Sequence, residues 1–240
     1  MTYREIRDNY QHKFSWDSVL VDGYTLLLSP FVTKICLKLK LIPNVITLLM
    51  MISGIVGGIC FAIPGIVPKI FGLIFIHLWY VFDCSDGEVA RITKRYSKFG
   101  TEIDYTAHVI DHPFIMLGIC AAICQSDTVE STFVILVAAA VTVLDLVFRC
   151  LATFGLIYDC KLPKAKTETV DGGKRVFSFR EKLRFFIGTV VHLPNFALIC
   201  PIVYFISPKA AFVYMCIVLV GLLLYVPIVL LSWLRRIVNS

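Results

Sequence analysis

Long apolar runs leave this chain few ways to fold. A helix that crosses a bilayer needs roughly 20 mostly apolar residues, and six such runs can be marked off, at about 44–64, 69–90, 103–124, 131–157, 186–206 and 210–233. Inside a bilayer each backbone polar group must be bonded within the protein, so runs of this length dictate helices and exclude open sheet edges. Of the 240 residues, 58% are hydrophobic and only 17% are charged, which excludes an ordinary soluble domain. The expectation is an all-α, polytopic membrane protein with six transmembrane helices, occupying 41–236 as one membrane domain.

Residues 1–40 read as a separate N-terminal cytoplasmic and interfacial segment. Arg4, Arg7, Lys13 and Trp16 mix with an apolar run ending at Leu28, and Lys34, Lys38 and Lys40 follow Ser29-Pro30. Such a mixture predicts an amphipathic helix lying in the membrane interface, with Lys34 and Lys38 as interfacial charges. A secretory signal peptide would order its charges and apolar core differently, so this segment is expected to be retained.

Basic residues set the orientation, because short loops rich in Lys and Arg stay in the cytoplasm. Arg91, Lys94, Arg95 and Lys98 fall between the second and third runs, eight basic residues fall between Lys161 and Arg184, and Arg235 and Arg236 follow the sixth run. The opposite connections hold only Lys69 and Lys209, with Asp127 and Glu130 beside them. Both termini and the basic loops are therefore expected on the cytoplasmic face. The net charge of +6 gathers there, which suits anionic headgroups and phosphorylated substrates; nucleic acid is not expected as a partner, since the basic residues flank membrane runs. Nine cysteines are scattered without a C-x-x-C pair, and read as small reduced core residues even where Cys120 and Cys124 stand one turn apart.

The stretch that carries chemistry is Asp83-Cys84-Ser85-Asp86-Gly87-Glu88-Val89-Ala90-Arg91, followed by Gly100, Asp104 and His108. Ionisable residues at the end of an apolar run are costly, and function is the default hypothesis for them. At about 100° per residue, Asp83, Asp86, Gly87, Ala90 and Arg91 fall within an arc of about 140°, and Asp104 and His108 sit one turn apart on the next helix. Two polar faces can converge there into an oxygen-rich site suited to Mg²⁺ or Mn²⁺, which usually hold substrate phosphates as well. Gly87, Ala90 and Gly100 have almost no side chain and leave room for a ligand or a close helix contact. Arg91 offers a planar, permanently charged donor to a phosphate oxygen.

These residues resemble the signature of the CDP-alcohol phosphotransferases, D-x2-D-G-x2-A-R-x8-G-x3-D-x3-D, at seven of its eight defined positions. Pro43-Asn44-Val45-Ile46-Thr47 is similar to the P-N-x-x-T entry to that family's first span. The resemblance implies an integral membrane transferase, of the type that moves other substituted phosphate groups. It would carry a substituted phosphate from a CDP-linked alcohol or CDP-diacylglycerol to a hydroxyl acceptor, with release of CMP, in phospholipid or related membrane lipid or glycan biosynthesis. It further implies that Asp83, Asp86 and Asp104 bind the divalent metal, that Asn44, Thr47, Gly87, Arg91 and Ser97 contact the CDP moiety, with Ala90 and Gly100 in the same cradle, and that the enzyme is a homodimer. The acceptor class stays open between a polar alcohol, its phosphate and a lipid alcohol.

One position departs from the signature. Where the family has its fourth Asp, this chain has His108. Imidazole titrates near neutral pH and suits proton abstraction, so His108 is expected as the base, beside Asp104. As a nitrogen ligand it favours Mn²⁺ over Mg²⁺, so a site with fewer or more weakly held ions is expected. Asp111, farther along the same helical face, is a candidate for orienting His108. Asp145 and Arg149, four apart, read as a helical ion pair, with Arg149 also open to an acceptor-binding role; His192, Pro194 and Asn195 read as a packed polar kink. A small metal-cation transporter and a catalytically degenerate relative stand as alternatives. The Gly87-Ala90-Arg91 segment discriminates against transport, which has no use for a phosphate cradle.

Overall fold

Proline and glycine stand at several of the helix starts. Ile42, ahead of Pro43, is extended at φ −87° and ψ 152°, as a residue before proline tends to be, and Pro43 opens a helix at a position where its missing N–H costs nothing. Gly65, at φ 106°, makes the turn between two helices in a conformation that other residues avoid. The computed structural model describes residues 1–11, 19–159, 189 and 192–238. Among these, the helices are α1 (Tyr3–Asn9), α2 (Val19–Lys38), α3 (Pro43–Ala62), α4 (Ile66–Thr93), α5 (Gly100–Cys124), α6 (Ser131–Asp159), α7 (Leu193–Ile206) and α8 (Pro208–Val238). There is no strand among the described residues.

Five helices are long and apolar enough to cross a membrane: Pro43–Ala62, Ile66–Thr93, Gly100–Cys124, Ser131–Leu151 within α6, and Pro208–Arg235 within α8. The fifth expected run, 186–206, is represented by the shorter apolar helix Leu193–Ile206. Most of its stretch before residue 192, like the polar segment at about 158–182, lies outside the described residues. The protein is thus an all-α polytopic membrane protein. Its outward side chains are apolar, with Phe31, Leu117, Leu136 and Leu224 all more than a third exposed, while Trp79, Phe61, Phe196 and Ile119 are fully buried. Lipid tails are as apolar as the core, so helix association rests on close packing and polar contacts.

Close packing is strongest around α3, which lies against both α4 and α5. A Cβ on Gly58 would run into the Phe114 carbonyl, and one on Gly118 would run into the backbone of Gly58. The α3–α5 crossing therefore needs glycine on both helices. At one membrane end, Lys69 Nζ donates to the Ile63 carbonyl at 3.0 Å and to Gln125 Oε1 at 2.8 Å, while Gln125 Nε2 donates to the Ala62 carbonyl at 2.6 Å. Orphan carbonyls at the end of α3 are thereby satisfied.

The N-terminal segment grips the other end. Thr25, Ser29 and Thr33, spaced four apart on α2, are fully buried, while Leu28, Phe31 and Ile35 point outward. Helix α2 thus turns hydroxyls toward α4 and apolar side chains away, and Lys34 and Lys38 are exposed. Helix α1 opens with a capping box between Thr2 and Glu5 and buries Ile6. It is tied to α2 by Tyr3 Oη donating to the Leu27 carbonyl at 3.0 Å and by Gln11 Nε2 donating to the Leu26 carbonyl at 2.6 Å.

Candidate active site at the meeting of α4 and α5

Helix α4 ends with Lys94 in the left-handed conformation at φ 53°, and α5 restarts at Gly100. The short connection brings the last turns of α4 beside the first turns of α5, and with them the carboxylates of both. Ligand atoms of Asp83, Asp104 and His108 all lie within 4.8 Å of one another. His108 Nε2 is 3.2 Å from Asp83 Oδ1 and 3.6 Å from Asp104 Oδ1, and the His108 side chain is 12% exposed. Asp104 Oδ1 is buried without a hydrogen-bond partner.

Helix α3 supplies the third wall. Thr47, itself buried, donates its Oγ1 proton to Asp86 Oδ2 at 2.6 Å. Asn44, one turn earlier, donates Nδ2 to Ser97 Oγ at 3.3 Å and so reaches the α4–α5 connection. Two of the residues expected near the nucleotide, Asn44 and Ser97, therefore meet across 53 positions of sequence. Gly100 begins α5 next to Ser97, where an added Cβ would find the Ser97 Cβ at an ordinary 3.5 Å. Ala90 is half-buried on the same side of α4.

Arg91 is more committed than its position in the motif suggests. Its Nε donates to the Tyr10 carbonyl of the N-terminal segment, and its terminal nitrogens lie over Gly87, where a Cβ would stand 3.1 Å from Nη1. Glycine at 87 thus makes room for the guanidinium as well as for any ligand.

Beyond His108 lies a second polar cluster, in which Asp111, His112 and Asp145 are buried and Arg149 is half-buried. Trp79 Nε1 donates to Asp111 Oδ2 at 2.6 Å, and Asp111 is fully buried. His112 contacts Asp145 Oδ2 through Nδ1 at 3.0 Å and Arg149 Nη2 through Nε2 at 2.8 Å. Arg149 Nε also donates toward Nδ1 at 3.0 Å, so both ring nitrogens of His112 are engaged by the Asp145–Arg149 pair. Arg149 Nε is also 3.4 Å from Asp145 Oδ2, so the expected helical pair forms.

Other residues emerge from the structure alone. Glu88, inside the motif, is fully buried on the face of α4 turned from the site, and accepts hydrogen bonds from Ser29 Oγ and Thr33 Oγ1, each at 2.5 Å. Its signal was the four-residue hydroxyl spacing on α2, which only a partner helix makes meaningful. Trp79 and His112 had no signal beyond lying one turn from Asp83 and His108. Asn195 donates to the Thr189 carbonyl at 2.7 Å, and Pro194 stands in the first turn of α7, so the His192–Asn195 group is a helix start. The eight described cysteines are free.

The donor set fits a divalent cation. Carboxylates from two helices converge with an imidazole nitrogen, a buried carboxylate oxygen is left without a partner, and oxygen-rich sets of this kind take Mg²⁺ or Mn²⁺. No curated protein matches the chain. A family model described as CDP-alcohol phosphatidyltransferase matches residues 40–233, spanning every helix that lines this site, α3, α4 and α5. The chain accordingly belongs to the CDP-alcohol phosphatidyltransferase family, membrane enzymes that transfer phosphate-linked groups from CDP-alcohols in lipid biosynthesis.

Proposed function

We propose that the chain transfers a substituted phosphate from a CDP-linked alcohol or CDP-diacylglycerol to a hydroxyl acceptor, releasing CMP, at a cytoplasm-facing site built on Asp83, Asp86, Asp104 and His108. The observation that carries this reading is the convergence of Asp83, Asp104 and His108 within 4.8 Å. Asp86 joins them from α4, with its carboxylate oriented by Thr47. Asp83, Asp86 and Asp104 would hold Mg²⁺ or Mn²⁺, and His108 Nε2 would be a further ligand only for Mn²⁺, the ion that better accepts nitrogen. The bound ion supplies neutralisation of the pyrophosphate and stabilisation of the departing CMP oxygen.

The chain's own residues do the rest. Asn44, Thr47, Gly87, Ala90, Arg91, Ser97 and Gly100 form the nucleotide cradle. Arg91, anchored through Nε, presents its terminal nitrogens to a phosphate oxygen. His108 Nε2 takes the proton of the acceptor hydroxyl, whose oxygen then bonds to phosphorus as the bond to CMP breaks. Asp104, one turn earlier on α5, orients that hydroxyl. Holding the acceptor in line is the larger part of such a reaction, since the phosphorus centre asks little covalent help of the protein. The flanking Arg91, Lys94, Arg95 and Lys98 favour the cytoplasmic side, and the working unit is taken to be a homodimer, as in the family.

The test is CMP release by the purified chain in detergent, with Mg²⁺ or Mn²⁺. The donors are CDP-diacylglycerol, CDP-glycerol, CDP-ethanolamine and CDP-choline, each against polar alcohols, their phosphates and diacylglycerol. Acceptor-dependent CMP names both substrates, and His108→Ala should lower it by roughly 10²–10⁴-fold. Metal binding without CMP release from any pair would overturn the reading.

A further inference from the structure

His108 has two nitrogens, and only Nε2 faces the candidate site. Nδ1 is buried without a hydrogen-bond partner, and 3.7 Å away lies Asp111 Oδ1, which is also buried and without a partner. That separation is roughly 0.5 Å beyond a normal N–H···O bond.

The carboxylate is held for that purpose. Its other oxygen, Oδ2, takes the indole proton of Trp79 at 2.6 Å, and both residues are fully buried. Gly54 of α3 backs onto the pair: a Cβ there would stand 2.8 Å from Asp111 Cβ and 3.0 Å from Trp79 Cδ1. Asp111 therefore has little freedom to turn away.

His112 is the competing partner, with Nε2 at 3.9 Å from Asp111 Oδ1. Both of its nitrogens are already engaged, by Asp145 at 3.0 Å and Arg149 at 2.8 Å. The same guanidinium argues against a second cation among His108, Asp111 and His112, although their ligand atoms lie within 4.8 Å of one another. The donor left for Asp111 Oδ1 is the Nδ1 proton of His108.

We propose that Asp111, anchored by Trp79, is a positioning residue for His108: it accepts the Nδ1 proton and so keeps the Nε2 lone pair turned toward Asp83 and Asp104. Which ring nitrogen carries the proton is set by the bond the other one makes, and carboxylates beside functional histidines commonly fix it. When Nε2 takes the acceptor proton, the Nδ1 proton stays where it is and the buried carboxylate faces the new imidazolium charge. The inference rests on the reading of His108 as the base.

The experiment is ¹⁵N–¹H correlation of the full chain, labelled at histidine, in detergent with Mg²⁺. The His108 resonances are identified by their loss in His108→Asn. The expected wild-type spectrum has a single neutral tautomer protonated at Nδ1. Asp111→Asn should mix or invert the tautomers and lower CMP turnover by about tenfold or more with KM little changed, and Asp111→Glu should restore the tautomer in part. Trp79→Phe leaves the carboxylate in place but frees it, and should give an intermediate spectrum, which keeps the test open if Asp111→Asn does not fold. A wild-type proton on Nε2, or an Asp111→Asn spectrum identical to wild type, would overturn the proposal. Absence of CMP release with the expected tautomer in place would instead remove the base role from His108 and leave the Asp111 pairing standing.

Discussion

Two polar clusters lie on either side of His108, one between α4 and α5 and one between α5 and α6, and they differ in one respect. In the outer cluster, Asp83, Asp86 and Asp104 converge with a single basic group among them, and Asp104 keeps a buried oxygen without a partner. In the inner cluster, Asp145, His112 and Arg149 satisfy one another within hydrogen-bond distance. Both contain carboxylates in a membrane domain, yet one has its charge compensated by the protein and the other awaits compensation from a ligand. Uncompensated charge is what marks a site, because a protein that needed only stability would have no reason to retain it.

The comparison can be broken most sharply at Asp83. Asp83→Asn should reduce CMP release by on the order of 10³-fold through loss of metal-assisted charge stabilisation. It should leave the thermal stability of the metal-free protein unchanged or raised, since it removes a mutual repulsion. A large stability loss without added metal would place Asp83 in the structural class. Asp145→Ala should do the reverse: it removes the carboxylate partner of buried His112 and half-buried Arg149 at a cost of about 1–3 kcal/mol, read as earlier thiol labelling of buried cysteines on heating. Turnover per folded molecule should fall far less than in Asp83→Asn.

Glu88 extends the rule to a residue inside the motif. Compensated by two hydroxyls, it should behave like the inner cluster, so Glu88→Gln should cost roughly 1–2 kcal/mol of stability and little turnover. If instead turnover collapses in a stable Glu88→Gln protein, the boundary between the two classes has been drawn in the wrong place.

The smallest expected effect lies at the far membrane end. Glu130 caps α6, accepting from the backbone N–H of Thr132 and Phe133 at 3.1 Å each, and the Thr132 side chain, together with those backbone bonds, holds its carboxyl below the usual glutamate range. A depressed folded-state value means the cap contributes fully above the unfolded glutamate value and is lost as pH falls through the folded one. A slight loss of thermal stability on acidification below about pH 4.5 should therefore be present in the wild type and absent in Glu130→Gln. Equal acid sensitivity in both would remove Glu130 as its source.

Much of the architecture was legible from the chain alone because hydropathy and helical periodicity are local properties. The apolar runs located α3 to α6 and α8, and 3.6-residue spacing put Asp83 and Asp86 on one face of α4 and Asp104 and His108 on one face of α5. The charge asymmetry and the motif spacing pointed to the reacting end. What spacing could not supply was the identity of the opposite face. Glu88 meets Ser29 and Thr33 across 59 and 55 residues, Trp79 meets Asp111 across 32, and His112 meets Asp145 across 33. Those meetings depend on how helices cross, and at Trp79 and Asp111 the close approach of α3 is permitted by Gly54, which lacks a side chain. The sequence by itself determined which residues were chemically costly in a membrane; only the packing of the helices decided which of those costs the protein itself compensates, because a buried charge is settled by its neighbours in space.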